Sequence, residues 1–339
     1  MYNTRYKTKG AYPMKSFMYI IKRIALMIMV FFIIMTMCFV LIKLLPNEIP
    51  PSMGDEAYAM QAMYEAWGYN KPILQQYGIY LKNILTKFDW GFCTKVDFLT
   101  PVTKHVASKL PATMTVNIYA VLVSVPLGIL FGIFAALKKN RWQDQVLSVF
   151  TMLFISVPSY VYAFVVQYIF AFKLGILPHT VAAMESGVTY FSPVMLKSMI
   201  LPVMALSFGI VAGFTRFTRA ELTETLTSDY MLLARAKGLT KGQATVRHAL
   251  RNAFVPILPM VLSEFLSIMG GSLVIEKIFA IPGIGAVYVG AVNSRDYDLF
   301  LFVSMFYTAL GLISGLIIDL SYGFIDPRIK MGGGKTNEL

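Results

Sequence analysis

The sequence predicts an all-α integral membrane protein with about six transmembrane helices. Of its 339 residues, 57% are hydrophobic and only 14% are charged, whereas a soluble domain carries roughly 25% charged residues. The apolar residues also cluster into runs of about 20 residues, the length that crosses the hydrocarbon core of a bilayer. Because lipid offers no hydrogen-bond partners, continuous runs of this length predict helices rather than the short alternating strands of a barrel.

Six segments are long and apolar enough to be spans. Their predicted boundaries are residues 24–45, 114–136, 146–172, 198–216, 254–275 and 299–322. The first is longer than the 7–15-residue core of a signal peptide, and no small-residue cleavage pattern follows it. We therefore interpret it as an uncleaved transmembrane helix.

These spans divide the chain into a few regions. The predicted regions are an N-terminal segment (1–23), the first transmembrane helix (24–45), an extracytoplasmic loop region (46–112), a membrane core (113–325) that contains a long basic loop (217–253), and a C-terminal tail (326–339). The loop region contains Trp67, Trp90 and several tyrosines, so we expect it to hold a small folded element.

The positive charge is distributed unevenly between the two sides of the membrane. The net charge is +12, and 19 Lys and Arg residues fall on the side that carries both termini, the loop 137–145 and the loop 216–253. Only ten fall on the opposite side. Cytoplasmic loops carry such an excess, so both termini are predicted to be cytoplasmic. This explains the net charge without nucleic-acid binding.

The sequence does not predict a metal, disulfide or nucleotide site in this chain. Cys38 and Cys93 are isolated, and the three histidines, His105, His179 and His248, have no metal-ligand spacing. There is no Gly-x-x-x-x-Gly-Lys-Ser/Thr loop. We expect no cofactor bound by this chain and no ATP hydrolysis by the chain alone.

The loop 217–253 predicts two short helices joined by a corner. Ser228 or Asp229 is positioned to cap the first helix, and Gly238 supplies the left-handed residue that ends it. Thr240 and Gln243 have the spacing of a capping box for the second helix.

The surface of this loop combines apolar, small and basic residues. Ala234 and Gly238 lie four residues apart on one predicted face, beside Leu232, Leu233 and Leu239. The cations are Arg235, Lys237, Lys241, Arg247 and Arg251. A solvated basic loop would explain the cations but not the leucines and the small residues. An apolar patch rimmed by charge predicts a docking surface for a protein partner.

At this point the sequence resembles a known family. The motifs are Ala234-Arg235-Ala236-Lys237-Gly238-Leu239, Arg247-His248-Ala249-Leu250-Arg251-Asn252-Ala253 with Pro256, the segment from Glu276 to Gly285, Ser294-Arg295-Asp296-Tyr297-Asp298, and Asp326-Pro327-Arg328-Ile329. Together they resemble the B-type permease subunits of binding-protein-dependent ABC importers for oligopeptides and dipeptides. The turn after the first span, Pro46-Asn47-Glu48-Ile49-Pro50, departs from the family pattern.

The resemblance implies a type I ABC importer permease fold in the bacterial cytoplasmic membrane. It implies that the segment 229–238 is a coupling helix seated on an ATPase. The implied coupling residues are Tyr230, Leu233, Ala234, Arg235, Ala236, Lys237, Gly238, Leu239, Arg247 and Arg251. The implied partners are a second homologous permease, two ATP-binding subunits that hold ATP and Mg, and an extracytoplasmic substrate-binding protein.

Substrate and transport class are separate questions. The resemblance favours peptides, with nickel, glutathione or oligosaccharide as alternatives. A secondary transporter would need several intramembrane charges or inverted repeats, and the predicted spans hold two acids, Glu264 and Asp319. An intramembrane zinc protease would need a His-Glu-x-x-His helix, which the sequence lacks.

The two acids have different expected roles. Glu264 falls near the middle of the fifth predicted span, where it either lines the translocation pathway or is a buried structural acid. Asp319 falls near the cytoplasmic end of the sixth span, where a structural role is favoured.

Overall fold

The computed structural model describes residues 11–45, 55–184 and 188–325. The turn predicted at 46–50, the motif at 326–329 and the rest of the predicted tail lie outside the described residues, as do residues 1–10 of the N-terminal segment. Within those ranges the chain is almost entirely helical. A single bridge between Phe92 and Pro101 is the only strand-like pairing in the described part.

The described helices follow the chain in a simple order. They are α1 (Ala11–Lys43), α2 (Asp55–Ala66), α3 (Ile73–Lys87), α4 (Val102–Leu137), α5 (Trp142–Ser156), α6 (Ser159–Val166), α7 (Pro193–Leu226), α8 (Asp229–Ala236), α9 (Lys241–Ala244), α10 (Arg251–Ser267), α11 (Leu273–Ile278), α12 (Ile284–Ser294) and α13 (Tyr297–Ile325). A π-helical turn, Gln167–Lys173, extends α6, and another, Thr245–Leu250, joins α9 to α10.

The all-α membrane class is confirmed. Among the described residues, five helices are long and apolar enough to cross a membrane, and the number is six if one bent helix pair is counted as a single span. The five are Met18–Lys43, Val102–Leu137, Pro193–Leu226, Lys241–Gly270 and Tyr297–Tyr322. Each of the six predicted segments overlaps one of these elements.

The third predicted span is broken rather than continuous. Segment 146–172 was predicted as one helix, but α5 and the segment Ser159–Lys173 meet at an angle of 102°. Pro158 stands at the break. Proline has no N–H to donate and its ring clashes with the preceding turn, so a sharp change of direction is expected there.

The fifth predicted span was wrong at its end. The helix begins at Lys241, ahead of the predicted start at 254, and it ends at Gly270 rather than at 275. Gly271 has a φ of +61°, a left-handed conformation that an α-helix does not continue through. Residues 273–275 therefore belong to the separate helix α11.

A helical cap lies at one end of the bundle. We call residues 55–101, with α2 and α3, the cap. Tyr80, Trp90 and Cys93 are buried in it, in one cluster with Phe39 of α1. The predicted loop region contains a folded element, and α4 begins within that region, at Val102.

Buried acidic residues fasten the cap to the start of α13. Oδ2 of Asp296 accepts hydrogen bonds from three successive backbone N–H groups, those of Thr94, Lys95 and Val96, at 2.9, 2.9 and 3.0 Å. Asp298 also accepts a hydrogen bond from the hydroxyl of Tyr69. A buried carboxylate without such donors would be costly, so these bonds specify how the loop 88–101 sits on the bundle.

The central helices α4 and α7 pack closely because of two glycines. A Cβ added to Gly128 would lie 2.5 Å from Cβ of Phe214, and one added to Gly132 would lie 2.5 Å from Cβ of Thr218. The Thr215 hydroxyl donates to the Gly128 carbonyl at 3.2 Å. Small residues four apart allow such close approach of membrane helices.

Replacing Gly132 by alanine should destabilise the protein. The new methyl group would lie 2.8 Å from the Thr215 carbonyl oxygen, and overpacking of this kind costs about 1–3 kcal/mol. We expect the apparent melting temperature in detergent to fall by several degrees. Gly209→Ala on α7 is the control, since a Cβ there meets nothing within 4 Å. Equal melting temperatures for the two variants would contradict this packing.

Cys93 should be protected from thiol reagents while the cap is folded. Its side chain is 0% exposed, and burial raises the pKa of its thiol to about 12. Fewer than about one thiol in 10⁴ is then reactive thiolate at pH 7.5. In a Cys38→Ser protein, we expect maleimide labelling at least 100-fold slower before SDS denaturation than after it. Rapid labelling of the native protein would mean that the cap does not pack as described.

Candidate functional site: the basic loop between α7 and α10

Helix α8 begins directly after α7. Ser228 occupies the N-cap position with extended backbone, φ −74° and ψ 154°. Its hydroxyl does not bond to the start of α8 but donates to the Thr225 carbonyl at 2.6 Å. The predicted capping position is therefore right, while the side-chain cap itself is not formed. Asp229 in the first turn places a negative charge where the helix dipole favours it.

The end of α8 is a Schellman motif built around Gly238. The N–H of Leu239 donates to the Ala234 carbonyl at 3.3 Å, and the N–H of Gly238 donates to the Arg235 carbonyl at 3.0 Å. Gly238 has a φ of +91°, so the predicted left-handed glycine is confirmed. A Cβ at Gly238 would meet nothing within 4 Å, so the constraint there is backbone conformation rather than crowding.

The second helix of the loop starts as predicted but does not stop. The capping box is confirmed, with Gln243 N–H donating to the Thr240 hydroxyl oxygen at 3.3 Å and Thr240 N–H donating to the Gln243 side-chain oxygen at 3.1 Å. The helix then continues through the π-helical turn Thr245–Leu250 into α10. The loop is thus one short helix followed by the start of a span.

One face of α8 is buried against the rest of the chain. Met231 and Ala234 are 5% and 6% exposed. They pack in one cluster with Ala136 of α4, Leu222 of α7 and Ala244 of α9. Ala234 therefore faces inward. The prediction that Ala234 and Gly238 form an outward small-residue face was wrong at Ala234, because the three-residue spacing from Met231 puts it on the packed face.

The opposite face of α8 is apolar and basic. Tyr230, Leu232 and Leu233 are 38%, 65% and 57% exposed. The other predicted coupling residues that are exposed are Arg235, Ala236, Lys237, Gly238, Arg247 and Arg251, while Leu239 is partly buried. A shallow groove separates α8 from α9 and is lined in part by Leu232, Arg235 and Lys241. Within the described residues, no carboxylate forms an ion pair with Arg235 or Lys237.

An ion pair joins α5 to α7 next to the loop in sequence. The guanidinium of Arg219 on α7 donates to both carboxylate oxygens of Asp144 on α5, at 2.5 and 2.8 Å. Asp144 is buried and also accepts from the Asn140 N–H at 2.9 Å. This bidentate geometry is the strong form of an ion pair. Sequence reasoning missed it, since 75 residues separate the partners and neither belongs to a recognisable motif.

The two predicted intramembrane acids lie in different settings. Glu264 is partly exposed on α10, three residues before its last residue, so it lies near a helix end rather than at mid-span. The Ser267 hydroxyl donates to its backbone carbonyl at 2.7 Å. Asp319 forms an ion pair with Arg23 of α1 at 2.9 Å, which agrees with the favoured structural role.

Comparison with known proteins identifies the family. Residues 128–331 match the model of the family described as "binding-protein-dependent transport system inner membrane component". The chain belongs to this family. It is accordingly a permease subunit of an ABC importer and a multi-pass protein of the inner membrane, as the resemblance implied. An ATPase and a substrate-binding protein are the partners that such a permease requires.

The curated relatives of this permease are similar over nearly their whole length. The dipeptide transport system permease protein of Bacillus subtilis (strain 168) is 35% identical, covering 92% of this chain and 98% of the relative. The oligopeptide transport system permease protein of Haemophilus influenzae is 35% identical, covering 92% and 99%. The glutathione transport system permease protein of Escherichia coli (strain K12) is 31% identical, covering 92% and 98%.

Replacing Gly238 by valine should weaken docking of the ATP-binding subunit. A β-branched residue at φ +91° costs roughly 1–2 kcal/mol or more in backbone strain. We expect the chain to relieve this strain by changing the angle between α8 and α9, which reorients the exposed face of α8. We expect a tagged permease to retain several-fold less ATP-binding subunit on purification, with normal membrane insertion.

The matched control for this change is Gly242→Val. Gly242 is also exposed and a Cβ there meets nothing within 4 Å, but it lies in helical backbone. Gly238→Asn should be intermediate, because asparagine tolerates left-handed conformations. Equal retention by the two valine variants would contradict a role for the corner.

Proposed function

We propose that this permease imports oligopeptides or dipeptides. The observation that carries the substrate class is the 35% identity to a dipeptide and an oligopeptide permease, over almost the full length of each relative. Because the similarity extends over almost the whole subunit, it includes the helices that line the translocation pathway. The residues of that pathway contribute to which substrates can pass.

We propose that the complete importer contains a second homologous permease, two ATP-binding subunits and an extracytoplasmic substrate-binding protein. ATP and Mg would bind to the ATP-binding subunits and not to this chain, which would not hydrolyse ATP itself. The exposed face of α8 supports this assignment. Leu232 and Leu233 offer apolar contact area. Arg235 and Lys237, which form no ion pair with any described residue, offer positive charge for an acidic groove.

The coupling would pass from α8 into the membrane through packed side chains. Met231 and Ala234 lie in one buried cluster with Ala136 of α4 and Leu222 of α7. Helices α4 and α7 in turn approach each other closely at Gly128 and Gly132. A push on α8 by the closing ATP-binding subunits would therefore displace both long helices. Alternating access follows if that displacement opens the pathway at the opposite end.

The orientation is part of the proposal. The loop that docks the ATP-binding subunits has to be cytoplasmic, and it carries the largest group of cations in the chain outside the N-terminal segment. Excess positive charge marks the cytoplasmic side. Both termini would lie on that side, with the cap at the extracytoplasmic side.

Glutathione is the second candidate substrate. The Escherichia coli relative named as a glutathione permease is 31% identical over 92% of the chain. Glutathione is itself a small peptide with one unusual linkage, so a peptide pathway needs little change to admit it. The four-percentage-point difference in identity favours the ordinary peptides.

The deciding experiment measures uptake in cells that lack only this gene and in cells with the gene restored. We expect uptake of a labelled dipeptide or tetrapeptide to fall below about a tenth of the parental rate and to return on restoration. Labelled glutathione and nickel are measured in parallel. Loss of glutathione or nickel uptake alone would replace the peptide assignment.

A second arm separates an ATP-driven importer from a secondary transporter. Uptake is measured after ATP depletion with the ion gradients held constant. We expect uptake to stop, because the energy source is ATP on the partner subunits. Uptake that continues under these conditions would contradict the coupling mechanism.

A further inference from the structure

The helices α11 and α12 form a hairpin between the last two spans, near the start of α4. Phe279 and Ile281 at its turn are 0% and 2% exposed. The Val181 N–H donates to the Phe279 carbonyl at 2.9 Å, and the Gln167 side chain donates to the Ile278 carbonyl at 3.3 Å. The hairpin is therefore wedged between several parts of the chain rather than lying free in a loop.

A buried carboxylate lies at the centre of this hairpin. Glu276 of α11 is 3% exposed. Its Oε1 accepts a hydrogen bond from the Thr113 hydroxyl of α4 at 2.8 Å, and its Oε2 accepts from the Ala286 N–H in the first turn of α12 at 3.2 Å. The Thr113 oxygen in turn accepts from the Ile284 N–H at 2.9 Å. Three helices thus meet in one closed hydrogen-bond network.

The Thr113 hydroxyl is both an acceptor and a donor in this network. Its oxygen accepts from the Ile284 N–H, and its proton is donated to Oε1 of Glu276. Both carboxylate oxygens are therefore acceptors. A glutamine at 276 has only one acceptor oxygen, so either the Thr113 hydroxyl or the Ala286 N–H would lose its partner.

The backbone around Glu276 is shaped to hold the carboxylate. A Cβ added to Gly271 would lie 2.5 Å from Oε1, and one added to Gly283 or Gly285 would lie 2.5 or 2.8 Å from Oε2. Any other residue at these positions would overlap the carboxylate. Burial raises the pKa of Glu276, and the bonds from Thr113, Ala286 and Gly285 oppose that rise.

We propose that Glu276 is the positioning residue that fixes the α11–α12 hairpin to α4, so that the hairpin and the helix move as one body during transport. The proposal rests on the proposed import function. Helix α4 is about 54 Å long at 1.5 Å per residue. Thr113 lies about a third of the way along it, and Ala136, which belongs to the α8 cluster, lies at its far end. A displacement at the basic loop is thereby carried to the hairpin.

The first test measures whether the two elements move together. Spin labels are placed at Lys104 of α4 and Val292 of α12, both exposed, in a Cys38→Ser background that leaves the buried Cys93 in place. In the assembled importer we expect one narrow distance that is the same with ADP and with ATP. With Glu276→Gln we expect a distribution at least twice as broad. A narrow, unchanged distance in that variant would overturn the proposal.

The second test measures, for three variants of α4, how much labelled dipeptide is taken up per molecule of ATP hydrolysed. Thr113→Val removes the hydroxyl, and Thr113→Ser keeps it. Thr115→Val is the matched control, since the Thr115 hydroxyl bonds only to the Pro111 carbonyl of its own helix. We expect uptake of a labelled dipeptide per molecule of ATP hydrolysed to fall at least fivefold in Thr113→Val. It should stay near the parental value in the other two.

The outcomes separate this proposal from the proposed function. If Thr113→Val and Thr115→Val take up the same amount of dipeptide per molecule of ATP hydrolysed, the positioning role is overturned, even if the protein imports peptides. If Glu276→Gln does not fold, the Thr113→Val and Thr113→Ser pair is spin-labelled instead, with the same broadening expected for valine alone. If the substrate is not a peptide, the distances between the spin labels still show whether the α11–α12 hairpin and α4 move together or separately.

Discussion

The close packing of α4 on α7 is the constraint on which the rest of the structure depends. Gly128 and Gly132 remove the side chains that would hold these helices apart, so backbone and side-chain atoms of α7 occupy that space. In lipid there is little hydrophobic force between helices, and packing together with interhelical hydrogen bonds has to provide the association. The hydrogen bond from the Thr215 hydroxyl to the Gly128 carbonyl is one such interhelical hydrogen bond.

The candidate site is built on the end of this helix pair. Helix α8 is only eight residues long and would not be stable alone. It is held because Met231 and Ala234 are buried in one cluster with residues of α4, α7 and α9, and because a Schellman motif ends it. The outward face then carries leucines and cations at fixed positions. A rigid docking surface can pass the movement of the ATP-binding subunits on to the membrane helices, whereas a mobile loop would change its own conformation instead.

At the end of the bundle opposite the basic loop, two buried carboxylates connect the short elements to the long helices. Asp296 holds three N–H groups of the cap loop, and Glu276 joins α11, α12 and α4. Hydrogen bonds to a buried charged group are strong and directional, so they specify one arrangement of these short elements. Apolar contacts alone are non-directional and would specify it less sharply.

The sequence by itself determined the fold class, the left-handed glycine at 238 and the capping box at Thr240. These follow from composition, run length and short-range backbone chemistry, which are local properties. The family also followed from it, through motifs within single segments. Only the tertiary structure decided that Ala234 faces inward and that Asp144 pairs with Arg219. It alone brought Glu276 to Thr113. These features depend on which distant segments pack together, and a pairing across 75 or 163 residues leaves no periodic or spacing signal in a single sequence.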